Sequence, residues 1–148
     1  KVTTEQFFNS LDEILHHKFR REELLNAWNA IIGEENSAIA PIVDAVQLRY
    51  RTAILSNTSP THFQKALDNS PILRKFSKRY LSYELGVMKP DLAVFRHVIE
   101  TLNVDPSTIL FIDDISENII AAQQCGMVGI LFTDQFRLRG ELESRSIL

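Results

Sequence analysis

Three short polar clusters in the 148-residue chain hold the side chains with the clearest potential for chemistry. Ser56-Asn57 follows the apolar run Thr52-Ala53-Ile54-Leu55. Asp113-Asp114 follows Ile109-Leu110-Phe111-Ile112. Lys89 lies between them, within Gly86-Val87-Met88-Lys89-Pro90-Asp91. Two adjacent carboxylates repel each other by ~4 kcal/mol if held about 4 Å apart at an effective dielectric of about 20. A hard divalent cation removes that penalty, and an all-oxygen donor set suits Mg²⁺. Ser56 and Asn57 offer a hydroxyl, an amide and turn N–H groups, all able to take phosphate oxygens. Lys89 adds a cation, and Pro90 suits the first position of a helix, which would place the ammonium beside N–H groups that bind anions. Each cluster also has a plainer reading. Asp113 can be a polar strand end, Asp114 a helix cap, Ser56-Asn57 an ordinary turn and Lys89 a solvated lysine.

The elements around these clusters decide whether they can meet. The runs at 52–55 and 109–112, with a third at Val128-Gly129-Ile130-Leu131-Phe132, are short and continuously apolar, as suits strands buried on both faces of a parallel sheet. Helical patterns lie between them, from Leu92 to Leu102 and from Ile119 to Cys125, the latter closed by Gly126. Alternating strands and helices imply a doubly wound α/β fold, in which ligands bind beyond the carboxyl ends of the strands. Ser56 lies 33 positions before Lys89 and Asp113 lies 24 after it, each interval long enough for a helical crossover.

The N-terminal part reads differently. Thr3 and Gln6 have the spacing of a capping box, and Phe7, Phe8, Leu11, Ile14 and Leu15 then define one apolar helix face. Leu24, Leu25, Trp28, Ile31 and Ile32 define a second, with Gly33 placed to close it in a left-handed conformation. A third segment carries Ile42, Val43 and Val46. The seam therefore falls near residue 40, dividing a helical part, 1–40, from an α/β part, 41–148.

Composition narrows the classes. With 45% hydrophobic and 24% charged residues the chain has the make-up of a folded domain. A net charge of −3 gives no support to a nucleic-acid partner, and no apolar run approaches the ~20 residues that span a bilayer. Cys125 is the sole cysteine, which excludes a disulfide framework and makes a reducing, cytoplasmic setting the default. The oligomeric state is not encoded in any pattern. The chain opens on Lys1 rather than Met, the mark of a piece of something longer.

Ala53-Ile54-Leu55-Ser56-Asn57, Gly86-Val87-Met88-Lys89-Pro90-Asp91 and Phe111-Ile112-Asp113-Asp114 resemble motifs II, III and IV of the haloacid dehalogenase-like (HAD) hydrolases. Ser116-Glu117-Asn118-Ile119-Ile120-Ala121-Ala122 followed by Gly126 is similar to that family's continuation. The first 40 residues resemble the helical cap of its sugar-phosphate phosphatases of the α-D-glucose-1-phosphatase type. The resemblance implies a Rossmann-like core with a cap and a Mg²⁺-dependent phosphatase acting on a small phosphorylated metabolite, such as a sugar phosphate. It implies that Ser56 and the Asn57 backbone hold the transferring phosphoryl group and that Lys89 neutralises a phosphoaspartate intermediate. Asp114 would be the direct Mg²⁺ ligand with Asp113 beside it, and Asn118 would orient the site.

The family's nucleophile lies in an Asp-x-Asp motif on its first strand, and none precedes Ser56 here. Asp12 and Asp44 fall in helical patterns. The nucleophile and its central strand are thus expected upstream of residue 1. Alternatives are a metal-independent dehalogenase, which the acidic pair disfavours, and a non-catalytic module descended from a hydrolase. A signalling receiver domain would order its acidic pair and lysine the other way round. His16-His17, Trp28, Cys125 and Asp134 read as structural. The 148 residues alone are expected not to hydrolyse phosphate esters. Turnover of p-nitrophenyl phosphate by this chain, abolished by Asp114→Asn, would overturn that expectation.

Overall fold

The computed structural model describes residues 2–148. In chain order the elements are α1 (Thr4–Ile14), α2 (Arg21–Asn29), α3 (Ala40–Gln47), β1 (Ala53–Ser56), α4 (Pro60–Asn69), α5 (Pro71–Arg74) and β2 (Lys78–Leu81). They continue with α6 (Ser82–Leu85), α7 (Leu92–Leu102), β3 (Leu110–Asp113), α8 (Ser116–Gln124), β4 (Val128–Leu131) and α9 (Gln135–Ser144). Two compact units form: Lys1–Glu35 with Thr58–Lys75, and Asn36–Asn57 with Phe76–Leu148.

In the helical unit the capping box forms as its spacing implies. Thr3 Oγ1 accepts the Gln6 N–H at 3.1 Å, and Gln6 Oε1 accepts the Thr3 N–H at 2.9 Å. Phe8 and Leu24 supply the buried contacts of the first two helices. The boundary differs from the seam near residue 40, because residues 58–75 are tied to the N-terminal helices. His62 of α4 stacks on Trp28 with ring centroids 4.7 Å apart, and its Nε2 donates to the Trp28 carbonyl at 2.8 Å. The Glu35 carboxylate accepts from the Ser70 hydroxyl and, at 2.8 Å, from the Ile72 N–H. Gly33 does not close α2, which ends at Asn29 with Ala30 as its cap in ordinary right-handed geometry. His16 and His17 leave α1 with φ of 56° and 55°, and His17 pairs with Asp12 at 2.7 Å.

The second unit is α/β, as the alternating runs imply. β1 pairs with β2 and β3 with β4, both in parallel, and no ladder joins the two pairs among the described residues. Successive side chains of a strand point to opposite faces, and β3 and β4 use that alternation. Phe111 packs with Val94, Phe95, Val98, Ala121 and Ala122 of α7 and α8. Leu110 and Ile130 pack instead with Ile42 of α3 and with Leu138 and Leu142 of α9. Helices therefore cover both faces of this pair, which is why its strands read as continuous apolar runs. Gly129 is small for a reason: a Cβ there would come within 2.7 Å of Ile119 Cγ2 on α8.

Strand β2 has no apolar run to mark it in the sequence, because Lys78-Arg79-Tyr80-Leu81 opens on two cations. Its apolar half is buried, Tyr80 and Leu81 being 3% exposed each. The polar half stays accommodated, with Lys78 Nζ 5.2 Å over the Tyr80 ring and Arg79 Nε donating to the Phe76 carbonyl at 2.9 Å. Among the described residues no helix is long and apolar enough to cross a membrane.

Phe95 is fully buried and meets Phe111 edge to face at 5.3 Å. Phe95→Ala should destabilise the chain by about 3–5 kcal/mol, and Gly129→Ala by about 1–3 kcal/mol through overpacking. Urea melts followed by far-UV circular dichroism measure both. A change under about 0.5 kcal/mol in either, within the range of a neutral surface substitution, would contradict the packing described.

Candidate active site

Strand β3 carries Asp113 to its carboxyl end as the last paired residue, opposite Leu131. Its carboxylate is wrapped by donors. Oδ1 accepts from Asn118 Nδ2 and from the Ile115 N–H, both at 2.9 Å. Oδ2 accepts from Lys89 Nζ at 2.5 Å. The turn from β3 into α8 explains the first two, since it folds the N–H two residues on, and an amide on the first helical turn, back over the carboxylate. The Lys89 and Asp113 side chains are only 10% and 6% exposed. Burial by itself would push the Asp113 carboxyl up; hydrogen bonds from Lys89, Asn118 and the Ile115 N–H, with the lysine charge, outweigh it and hold the group below the ordinary carboxylate range. Lys89 Nζ also lies 5.6 Å over the Phe111 ring, itself braced by Phe95.

Asp114 is the opposite case. It is exposed, and among the described residues it makes no hydrogen bond or ion pair. The repulsion expected of the acidic pair is thus relieved partly within the protein, because Lys89 neutralises Asp113 while Asp114 faces solvent.

Lys89 reaches this position by a route the sequence does not announce. Gly86 ends α6 in a left-handed conformation, φ 75°, with its N–H on the Ser82 carbonyl at 2.8 Å. Residues 87–90 then form a loop, and the Lys89–Pro90 peptide bond is cis. Pro90 is not the first residue of α7. That helix starts at Leu92, and Asp91 caps it by accepting the Ala93 N–H at 2.9 Å. Lys89 is accordingly held by a buried carboxylate rather than by free helix N–H groups. Across the loop the Asn57 side chain grips the Lys89 backbone: Lys89 N donates to Asn57 Oδ1 at 2.8 Å and Asn57 Nδ2 donates to the Lys89 carbonyl at 2.7 Å. Ser56, half-buried, is the final residue of β1 rather than the first turn residue after it.

The structure thus joins Asn57, Lys89, Asp113 and Asn118 in one chain of direct contacts, with Ser56 and Asp114 as immediate neighbours of its members. The side-chain role of Asn57 leaves no mark in the sequence, since an Asn in a turn after a strand carries no sign of a partner 32 residues away. Asp134 caps α9 through the Phe136 and Arg137 N–H groups, and Cys125 Sγ points at the Leu92 carbonyl, 3.8 Å away. No group of three or more His, Cys, Asp or Glu side chains able to hold a metal occurs among the described residues. The exposed Asp114 carboxylate nevertheless fits Mg²⁺, which commonly takes one or two protein carboxylates and fills its remaining positions with water and phosphate oxygens.

Residues 3–126 match the model of the haloacid dehalogenase-like hydrolases. The chain belongs to that family. It is 29% identical over 132 residues to a D-ribitol-5-phosphate phosphatase of Bacteroides thetaiotaomicron, covering 85% of this chain and 64% of that protein. A shorter stretch of 57 residues, 38% of this chain and 29% of the relative, is 42% identical to a sesquiterpene phosphatase of Aspergillus oryzae. Among solved structures, a HAD family enzyme of B. thetaiotaomicron, in complex with magnesium and inorganic phosphate, superposes with a TM-score of 0.83 at 25% identity. That match covers 89% of this chain and 70% of the enzyme. The matches span 64% of the ribitol-phosphate phosphatase and 70% of the solved Bacteroides enzyme, and much less of the sesquiterpene phosphatase.

Removing one partner of a buried ion pair strands the other charge, at a cost of about 3–5 kcal/mol. Asp113→Ala is expected to lie in that range by chemical denaturation, because it leaves the Lys89 ammonium unpaired. Asn118→Ala removes one of three donors to a carboxylate that keeps its cation and should cost less, about 1–3 kcal/mol. The reverse ranking would show that Lys89 is not the carboxylate's main partner.

Proposed function

We propose that the chain is the phosphate- and metal-binding part of a Mg²⁺-dependent phosphomonoester hydrolase acting on a small phosphorylated metabolite such as a sugar phosphate. The observation that carries the reading is the buried Lys89–Asp113 pair beside the exposed Asp114 at a strand's carboxyl end. A cation and an open carboxylate at the same edge suit a phosphate bridged to a metal. Family membership and the phosphatases named above support it, as does the magnesium and phosphate bound in the related Bacteroides enzyme.

In this reading Asp114, with Asp113 beside it, holds Mg²⁺, which when bound offsets charge on the transferring phosphoryl group. The Ser56 hydroxyl and Asn57 N–H orient the phosphoryl oxygens, and the Lys89 ammonium neutralises charge at the phosphorylated nucleophile. Asn118 keeps Asp113 turned toward Lys89. The nucleophile is an aspartate outside these 148 residues, which contain no Asp-x-Asp. Its carboxylate oxygen bonds to phosphorus as the ester oxygen leaves, and water then releases inorganic phosphate. The helical unit corresponds to the family's cap. The absence of Asp-x-Asp from the sequence equally suits a second reading, a non-catalytic module that binds metal and phosphate without turnover.

Calorimetric titration with Mg²⁺, with and without inorganic phosphate, tests the binding site. Phosphate should tighten Mg²⁺ binding, and Asp114→Asn should weaken it at least tenfold with the fold intact. No Mg²⁺ binding under either condition would remove the proposed site. Mg²⁺-dependent phosphate release from pentitol and hexose phosphates, assayed in the protein at its full natural length, separates hydrolase from binding module.

A further inference from the structure

We propose that the Asn57 side chain is a positioning residue for Lys89 and does not itself hold the substrate. This rests on the phosphatase reading of the site and deepens it. The carboxamide makes a reciprocal pair of bonds with one peptide unit on either side of the Lys89 Cα. It accepts the Lys89 N–H at 2.8 Å and donates to the Lys89 carbonyl at 2.7 Å. The partners fix which end is oxygen, because a backbone N–H needs an acceptor and a carbonyl needs a donor. The amide thus meets the Lys89 backbone as a neighbouring peptide group would, one residue past the end of β1 at Ser56.

Lys89 needs such a clamp. It sits in a loop three residues past Gly86 and before the Asp91 cap, outside any helix or strand whose hydrogen bonds would hold it. Its ammonium nevertheless has to meet a buried Asp113 oxygen at 2.5 Å. Fixing both backbone polar groups of Lys89 fixes where its Cα stands and in which direction its side chain leaves. Asn57 is exposed, so the clamp contributes more to direction than to stability, and its loss leaves the hydrophobic cores untouched. With the side chain committed to Lys89, the Asn57 backbone N–H is what remains for a phosphoryl oxygen.

Three variants test the assignment in the full-length protein with p-nitrophenyl phosphate. Asn57→Ala should lower kcat about 100-fold, the scale of a small misplacement of a catalytic group, with KM changed less than threefold. Asn57→Asp, which can accept the Lys89 N–H but cannot donate to its carbonyl, should lie between Ala and wild type. A rise in KM with kcat kept would overturn the proposal, since that is the signature of a lost substrate contact. Lys89→Met serves as reference: loss of activity there with full activity in Asn57→Ala also overturns it. Retained activity in Lys89→Met would instead sink the assignment of Lys89 in the phosphatase reading. A readout independent of turnover is the ¹⁵Nζ resonance of Lys89 in the 148-residue chain. Asn57→Ala should shift it toward that of Asp113→Ala, whereas an unchanged resonance would show that Lys89 needs no clamp.

Discussion

A carboxylate cannot be buried without partners, and much of the candidate site follows from satisfying Asp113. An unpaired charge in the interior costs several kcal/mol, a large share of a domain's margin of stability. The chain answers with one donor from each of three directions: the helix that follows, through Asn118, the turn itself, through the Ile115 N–H, and a distant loop, through Lys89. The same satisfaction makes the two neighbouring aspartates unequal. Asp113 spends its oxygens on the protein and anchors the Lys89 ammonium at the strand end, whereas Asp114 turns its oxygens to solvent.

That anchoring depends on two layers of packing. Phe111, one residue before Ile112 in the strand, lies under the lysine ammonium and is held by Phe95 and the α7–α8 cluster. On the other face Ile130 and Leu110 rest on α3 and α9. Strand ends covered this way present their polar groups in a fixed direction with little freedom, the condition for a site that must hold charge at defined places. The helical unit has its own tie points, in the His62–Trp28 stack and the Glu35 carboxylate on Ser70 and Ile72.

Much of this is legible in the amino-acid sequence. Three of the four strands announce themselves as apolar runs, off by about one residue, because strands covered on both faces need no polar alternation. The Thr3–Gln6 box and Gly126 after α8 are equally plain, being local chemistry. Strand β2 leaves no such run because two cations precede its apolar half. The seam near residue 40 missed residues 58–75, whose place is set by contacts with α2 and with Glu35. Pro90 looked like a helix start, but Asp91 offers a side-chain acceptor to the Ala93 N–H, so the helix begins beyond it.

The sequence by itself determined which chemical groups are available and in what order: hydroxyl and amide, then lysine, then paired carboxylates, each beside an apolar run or a turn. Those are properties of neighbours along the chain, and the family resemblance rests on them. Only the tertiary structure decided what each group does with its hydrogen bonds. Lys89 turned from a helix N-terminus to a buried carboxylate, and Asn57 turned its amide to a backbone 32 residues away. Such choices are made by competition among donors and acceptors that meet only after folding, so no local pattern records them.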